Sequence, residues 1–250
     1  MNVLILAAGY ATRLYPMTEK KAKPLLEVAG KPMIEWVLDN LAPIPDLKTV
    51  YVVTNDKFAK DFAAWADHYG KSQPKLTLKI INDGSRSDSD KLGAIGDIHL
   101  VLSRENLTAE PLIVVAGDNL FSESLTDFAL AAQGSEAMLA TYDVGDFEAM
   151  KKYSAITTDA QGVITHFEEK PAKPETTITG IALYYFAAAT LELFTTYIAA
   201  GNNPDQPGRF IQWLHTRKPV KTFPIKGTWY DIGSKETLEE ANRIFAQFAK

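Results

Sequence analysis

Val3-Leu4-Ile5-Leu6-Ala7-Ala8-Gly9-Tyr10-Ala11-Thr12-Arg13-Leu14, running on through Lys23-Pro24-Leu25 to Gly30-Lys31-Pro32-Met33-Ile34, is the stretch from which the fold is read. It opens with an apolar run of strand length, as expected of a parallel strand buried on both faces. The run closes in small residues, Ala7, Ala8 and Gly9, and then gives way to a polar, basic loop. Short or absent side chains let a ligand lie against backbone N–H groups, which suits a base, a ribose or a phosphate. Between Tyr10 and Lys31 there are one Arg and four Lys against two Glu, a local charge of +3 in a chain whose net charge is −5. A basic loop directly after a strand end is where open α/β sheets bind ligands. A polyphosphate site is therefore expected here.

Outward from this stretch the strand–helix alternation continues. Pro32 is placed in the first turn of a helix carrying Met33, Ile34, Val37, Leu38 and Leu41 at helical spacing, ended by Pro43 and Pro45. Val50 to Thr54 reads as a second buried strand, Phe58, Phe62, Trp65 and Tyr69 as the core stripe of a helix, and Leu76 to Ile81 as a third strand. After a polar loop, Ser85 to Lys91, Leu92 is expected to open a helix with Ile95, Ile98 and Leu102 inward. Leu112 to Ala116 is a fourth buried strand leading into Gly117-Asp118-Asn119. Repeated units of this kind predict an α/β fold, Rossmann-like, with a mostly parallel mixed sheet flanked by helices.

Beyond about residue 145 the pattern changes. Tyr153 to Thr158 and Val163 to Glu168, separated by Asp159-Ala160-Gln161-Gly162, read as a hairpin. Thr177 to Phe186 is a strand, Leu191 to Tyr197 a helix, Gly201 to Gly208 a loop, Arg209 to His215 a short helix and Val220 to Ile225 the last strand. Ser234 is placed as the cap of a final helix with Leu238, Ala241, Phe245 and Phe248 inward. One domain over residues 1–250 is expected, with a nucleotide-binding part (1–145) and a smaller, β-rich, sugar-side part (146–250). Nothing in the sequence sets an oligomeric state.

Composition narrows the chemistry. An acidic chain argues against a nucleic-acid partner, which needs a basic face. With no cysteine in the 250 residues, disulfides, thiolate metal sites and a thiol nucleophile are excluded. The first apolar run, Val3 to Ala8, is too short for a signal-peptide core or a membrane span. The expectation is a cytoplasmic enzyme without a membrane partner.

Leu6-Ala7-Ala8-Gly9-x-x-Thr12-Arg13-Leu14-x-Pro16-x-Thr18, followed by Lys23-Pro24-Leu25 and Gly30-Lys31-Pro32, resembles the N-terminal signature of the sugar-1-phosphate nucleotidylyltransferases. These enzymes join a nucleoside triphosphate to a sugar 1-phosphate and release pyrophosphate, on a GT-A-like nucleotidyltransferase fold. Gly117-Asp118-Asn119 is similar to the family's metal-binding position, and Trp229-Tyr230-Asp231-Ile232-Gly233 to its late Trp-x-Asp-x-Gly motif. Phe167-Glu168-Glu169-Lys170-Pro171 is similar to its Glu-Glu-Lys-Pro segment, and Thr179-Gly180 to its substrate-side strand.

The resemblance implies a role for each position. Leu6, Ala7, Ala8 and Gly9 would line the nucleotide. Arg13 would grip the leaving pyrophosphate, and Lys23 would reach the α-phosphate and steady the transition state. Asp118 and Asp231 would hold Mg²⁺, which takes one or two carboxylates together with phosphate oxygens and water. Glu169 would bind a sugar hydroxyl and Lys170 the sugar phosphate, beside Thr179 and Gly180. Asn82 and the backbone at Gly93 are the base-recognition candidates. Lys20, Lys21 and Lys31 read as solvated or supporting.

Departures from the family pattern leave base and sugar open, with UTP or dTTP favoured. Ser85 to Gly96 matches the base-reading segment only in part, Ser154 stands where many thymidylyltransferases have Gly, and Gly208-Arg209-Phe210 replaces an acidic sugar-side segment. Two other readings stand beside this one. One is cytidylylation of phosphocholine or a similar phospho-alcohol by an enzyme with the same N-terminal signature. The other is a non-catalytic nucleotide-binding regulator, against which the retention of Arg13, Lys23, Asp118 and Asp231 together argues. No G-x-G-x-x-G follows the first strand and no Walker A pattern appears, which disfavours a dinucleotide oxidoreductase and a P-loop enzyme.

Overall fold

A computed structural model describes residues 1–248. The apolar runs become strands, and the 3.6-residue stripes become helices against them. The N-terminal half holds β1 (Asn2–Leu6), β2 (Glu27–Val28), β3 (Lys31–Pro32), α1 (Met33–Leu41), β4 (Thr49–Thr54), α2 (Ala59–Ser72), β5 (Thr77–Asn82), α3 (Ala94–Glu105), β6 (Leu112–Ala116) and β7 (Asn119–Phe121). Next come α4 (Thr126–Ala132), β8 (Ala137–Asp143), α5 (Phe147–Met150), β9 (Ser154–Thr158), β10 (Ile164–Glu169) and β11 (Ile178–Phe186). The chain continues with α6 (Ala188–Leu191), α7 (Leu193–Ala199), α8 (Pro207–Leu214), β12 (Val220–Pro224), β13 (Trp229–Asp231) and α9 (Lys235–Phe245).

Seven strands form a mostly parallel mixed sheet in the order β12-β8-β11-β6-β1-β4-β5. Three two-stranded ribbons, β9–β10, β7–β13 and β2–β3, accompany it. No helix among the described residues is long and apolar enough to cross a membrane.

Among the described residues, 1–92, 115–126 and 227–248 form one compact unit, and 93–114 with 127–226 a second. The boundary expected at 145/146 falls inside the second unit, and residues 249–250 of the expected sugar-side part lie outside the described residues.

In the first unit β1, β4 and β5 run parallel, with Val3 opposite Val50 and Val50 opposite Leu78. Val3, Leu4, Ile5, Val50, Val52 and Val53 are fully buried, which explains why these strands read as continuous apolar runs. A separate core joins early and late sequence: Leu14, Val28, Met33 and Trp36 pack with Leu120, Ile232, Ala241 and Phe245. Trp36 and Phe245 meet edge to face, with ring centroids 5.3 Å apart. Helix α9 starts on a reciprocal cap in which Ser234 Oγ accepts from Thr237 N–H (3.3 Å) and Thr237 Oγ1 accepts from Ser234 N–H (2.9 Å).

In the second unit β8 pairs antiparallel with β11 and parallel with β12, and β9 pairs antiparallel with β10. An aromatic cluster fills its core: Phe194 and Phe210 stack with centroids 3.8 Å apart, and Phe186, Tyr197 and Trp213 surround Phe210.

Several expectations are corrected. Pro32 caps α1 in extended backbone instead of entering its first turn, because the residue also belongs to β3. Leu92 does not open α3; the helix starts at Ala94, after Gly93 has turned the backbone to a φ of 79°. Leu191 to Tyr197 is split between α6 and α7, and α8 begins two residues earlier than expected, at Pro207. Val220–Pro224 is not the last strand, since β13 follows it, and β7, α4 and β8 went unread.

Candidate active site

The turn that carries Asp118 is tied down by close packing. Gly117 N–H donates to Leu6 O at 2.9 Å, fastening the end of β6 to the end of β1. A Cβ on Gly117 would lie 3.1 Å from Ile5 Cγ2, 3.2 Å from Leu6 O and 3.3 Å from Pro24 Cβ. Only glycine gives this turn ordinary contact distances. Pro24 sits in a short 3₁₀ turn, Lys23–Leu25, so its contact with Gly117 sets Lys23 beside Asp118. Lys23 Nζ donates to Asp118 Oδ2 at 2.6 Å, with both side chains largely shielded from water.

Asp231 arrives by strand pairing. Its ribbon β13 lies antiparallel to β7, with Asp231 opposite Asn119 and Trp229 opposite Phe121. Opposed residues in an antiparallel pair share a face, as do residues two apart on one strand. The Trp-x-Asp spacing therefore sets the indole and the carboxylate on the face of β7 that carries Asn119. Trp229 Nε1–H donates to Asn119 Oδ1 at 2.5 Å, and Asn119 Nδ2–H donates to Asp118 Oδ1 at 3.1 Å. Burial pushes the Asp231 carboxyl above the usual carboxylate range; the charge of Asp118 adds to the rise, and Lys23 and Arg13 oppose it. Four of the expected residues, Arg13, Lys23, Asp118 and Asp231, thus share one electrostatic neighbourhood.

This donor set fits a divalent cation. Beside the effect of burial, the charge of Asp118 disfavours ionisation of Asp231, a repulsion that a bound metal relieves. Asp118 accepts from Lys23 on one oxygen and from Asn119 on the other, and an ionised carboxylate offers about four lone-pair sites, so acceptor capacity remains. Among the described residues no cluster of three or more His, Cys, Asp or Glu is arranged to hold a metal. Two carboxylates suit Mg²⁺, which draws its other ligands from phosphate and water, better than they suit a metal that needs an all-protein cage.

The small-residue strand end is mostly covered: Ala7 and Ala8 are buried, Leu6 is half-buried and Gly9 is exposed. Asn55 Nδ2–H donates to Ala8 O at 2.9 Å, and Ala11 holds a left-handed turn (φ 46°) whose carbonyl accepts from Leu14 N–H and Thr18 Oγ1–H. Arg13 is exposed on the 3₁₀ turn that follows. Lys20 and Lys21 are exposed, while Lys31 pairs with Asp39 and lies 3.8 Å from the centre of the Trp36 ring. Asn82 bonds both its own turn and the loop after β4: Oδ1 accepts from Gly84 N–H at 2.8 Å and Nδ2–H donates to Asp56 Oδ1 at 2.8 Å.

In the second unit Gly93 is buried, and a Cβ there would stand 2.6 Å from Pro204 O and 2.7 Å from Asp205 Cα. The neighbouring Ala94 and Ile95 N–H groups donate to Asp205 O and Pro204 O. Glu169 ends β10 opposite Ser154, and Lys170, exposed and left-handed (φ 51°), donates its N–H to Tyr153 O. Ser154 Oγ accepts from Gly180 N–H at 3.3 Å and lies 3.4 Å from the hydroxyl of the fully buried Thr179. A Cβ on Gly180 would be 2.8 Å from Leu139 Cδ2 and 2.9 Å from Ile156 Cδ1, so the ends of these two side chains fill the space that glycine leaves. Thr179, Gly180 and Ser154 hold β11 against the hairpin whose other strand carries Glu169.

Sequence reasoning missed two residues next to Glu169. Gly208 leaves room for it, since a Cβ there would be 3.3 Å from Glu169 Oε2. Tyr184 is buried near it, and its phenol is raised above the usual range by burial and by the Glu169 charge. Gly208 stood in a segment noted for departing from the family pattern, but its approach to Glu169, like that of Tyr184, arises only through the fold. The roles of Asn119 and Trp229 were likewise unread, although both stand inside quoted motifs.

Known proteins align with this chain along nearly its whole length. It is 25% identical over 243 residues to the bifunctional protein GlmU of Methanocaldococcus jannaschii, a match covering 97% of this chain and 54% of that protein. It is 26% identical over 245 residues to the UTP–glucose-1-phosphate uridylyltransferase AglF of Haloferax volcanii, covering 97% of this chain and 96% of that one. The chain spans about half the length of the GlmU relatives it matches.

Among solved structures, a Bacillus anthracis protein provisionally described as a glucose-1-phosphate thymidylyltransferase, in complex with sucrose, superposes with a TM-score of 0.84 at 20% identity. That match covers 100% of this chain and 97% of the other. A UDP-glucose pyrophosphorylase complexed with UDP-glucose gives 0.79 at 21% identity, covering 99% of both chains. At such identities the likeness carries the fold. The family model described as nucleotidyl transferase matches residues 2–247, and with so nearly complete a match the chain belongs to the nucleotidyl transferase family.

Proposed function

We propose that this protein transfers a nucleotidylyl group from a nucleoside triphosphate, UTP or dTTP, to a sugar 1-phosphate. A phosphate oxygen of the sugar 1-phosphate forms a bond to the α-phosphorus. The bond from the α-phosphorus to the bridging oxygen breaks, and its electron pair leaves with pyrophosphate. Such a transfer asks the protein for alignment and charge neutralisation more than for covalent chemistry.

The observation that carries this reading is the convergence of Lys23, Arg13, Asp118 and Asp231 within a chain of this family. Arg13, exposed on its turn, pairs with the leaving pyrophosphate, where a planar fork suits two oxygens. Lys23 offers a point charge to the α-phosphate as negative charge builds on it. Asp118 and Asp231 hold Mg²⁺, which when bound neutralises phosphate charge. Leu6, Ala7, Ala8 and Gly9 line the nucleotide, with Asn82 and the Gly93 backbone on the base. On the acceptor side Glu169 takes a sugar hydroxyl and Lys170 the sugar phosphate, with Thr179 and Gly180 shaping the strand behind them. The part that handles the nucleotide is assigned to residues 1–145 and the sugar-phosphate part to 146–250, and the chemistry suits a cytoplasmic setting in which these substrates are made.

Pyrophosphate release tests the reading. UTP, dTTP and CTP are offered with glucose 1-phosphate and, in parallel, with phosphocholine. The expected result is turnover of UTP or dTTP with the sugar phosphate. Glu169→Ala should raise the KM for that acceptor about ten- to a hundred-fold, the worth of a hydrogen bond to a charged group, while the nucleotide KM barely moves. Turnover of CTP with phosphocholine alone, indifferent to Glu169, would replace this acceptor with a phospho-alcohol.

A further inference from the structure

Asp118 is held from both sides, and the two holds differ in kind. Lys23 grips one oxygen as a charge. Asn119 grips the other through a neutral amide, and a neutral amide has two ways round: Oδ1 and Nδ2 are close in size, and rotation by half a turn exchanges them. Turned the wrong way, Asn119 would point a carbonyl oxygen at the carboxylate of Asp118 and repel it. What decides the orientation is the group on the far side. The indole Nε1–H of Trp229 can only donate, so it demands Oδ1, and at 2.5 Å it receives it. Nδ2 is then left facing Asp118 Oδ1, at 3.1 Å. Asn119 is buried, at 4% exposure, so water is poorly placed to substitute for either partner.

The sheet supplies this arrangement without further residues. Trp229 is diagonal to Asn119 across the β7–β13 ribbon, and Asp231 is directly opposite it. One short strand therefore brings both the second carboxylate and the donor that orients the holder of the first.

We propose that Trp229 is a positioning residue: acting through Asn119, it keeps Asp118 in the rotamer that serves the metal. The proposal rests on the reading of Asp118 as a metal carboxylate. It assigns the Trp of Trp-x-Asp a task that is separate from any contact with substrate. Partners that orient a metal ligand are commonly worth ten- to a hundred-fold in metal affinity.

The test uses Mn²⁺ alone, titrated into the intact protein and followed by loss of the free-ion EPR signal. Trp229→Phe retains an aromatic ring and removes the donor; Asn119→Leu removes the amide. Each single change should weaken Mn²⁺ binding by about ten- to a hundred-fold. The double variant should be no worse than Asn119→Leu, because without the amide Trp229 has nothing to orient. Turnover lost in Trp229→Phe should return as Mg²⁺ is raised, which a substrate-contact role would not produce. Trp229→Phe that binds Mn²⁺ like wild type, or effects of the two changes that simply add, would overturn the positioning role. Wild-type protein that takes up no Mn²⁺ would remove the metal reading itself and this proposal with it, an outcome distinct from the previous one. Trp229→Phe alone decides the matter if Asn119→Leu does not fold.

Discussion

At the scale of single residues, the first unit concentrates opposite charges, and the proposed transfer gives each a different stage. Asp118→Asn and Asp231→Asn keep side-chain size but remove a charge proposed to hold the metal, so turnover should fall by orders of magnitude with the melting transition still cooperative. Pyrophosphate release measured beside thermal unfolding checks this; a folded Asp118→Asn protein of near-normal turnover would remove the metal assignment. Lys23 and Arg13 should separate kinetically. Lys23→Ala is expected to lower kcat far more than it raises the KM for the triphosphate, since its charge is proposed to act most on the transition state, whereas Arg13→Ala should impair both. Full steady-state kinetics of both variants decide between them, and equal kinetics for wild type and Lys23→Ala would leave Lys23 only the structural ion-pair partner of Asp118. Each of these four positions was legible because each stands in a stretch with a recognisable pattern. The 2.5 Å contact between Trp229 and Asn119 was not legible, because its partners are 110 residues apart and neither side chain announces a direction.

At the scale of elements, close approach is enforced at a few glycines. Gly117→Ala would press on Ile5, Leu6 and Pro24 at 3.1–3.3 Å and should cost about 1–3 kcal/mol, the usual range for overpacking, while shifting Asp118 from Lys23. Gly93→Ala should cost more. Its Cβ would meet backbone atoms at 2.6–2.9 Å, and its φ of 79° disfavours any L side chain. Urea unfolding of both variants, with turnover measured alongside, tests the order. Strands β1, β4 and β6 were legible because burial on both faces leaves an unbroken apolar run. Strand β8 was not: Ala137-Met138-Leu139-Ala140 is rich in helix formers, and its extended state comes from β11 and β12 on either side. Strands β7 and β13, at three residues each, are too short to show any periodicity. The start of α3 was misplaced because apolar Leu92 continued the stripe, whereas Gly93 breaks the backbone before it.

For the molecule as a whole, acid response offers an independent measure. His215, half-buried at the end of α8, has its pKa lowered first by burial and then by His166, which itself faces Glu168 at 3.9 Å. The folded chain then binds fewer protons than the unfolded chain as the imidazole titrates. Stability should therefore be unaffected above the ordinary histidine value of 6.5 and decline as pH falls below it. His215→Gln should flatten that decline in chemical denaturation run from pH 7.5 to 5.5, and an unchanged slope would exclude His215 as its source. The larger organisation, α/β with a mostly parallel sheet, followed from the alternation of runs and stripes. The interleaving of the two units did not, since composition marks no boundary at residues 92, 115 or 227. That interleaving has a consequence for biosynthesis. A chain emerging from the ribosome presents Lys23 and Asp118 long before Asp231, and Leu14, Val28, Met33, Trp36 and Leu120 wait for Ile232, Ala241 and Phe245 to cover them. Until that late segment is released, the nascent protein exposes an apolar surface and holds only half of its carboxylate pair. A polypeptide stalled before residue 227 should therefore be a client for chaperones, and the protein should gain its carboxylate pair in a single step, after translation has passed β13 and α9.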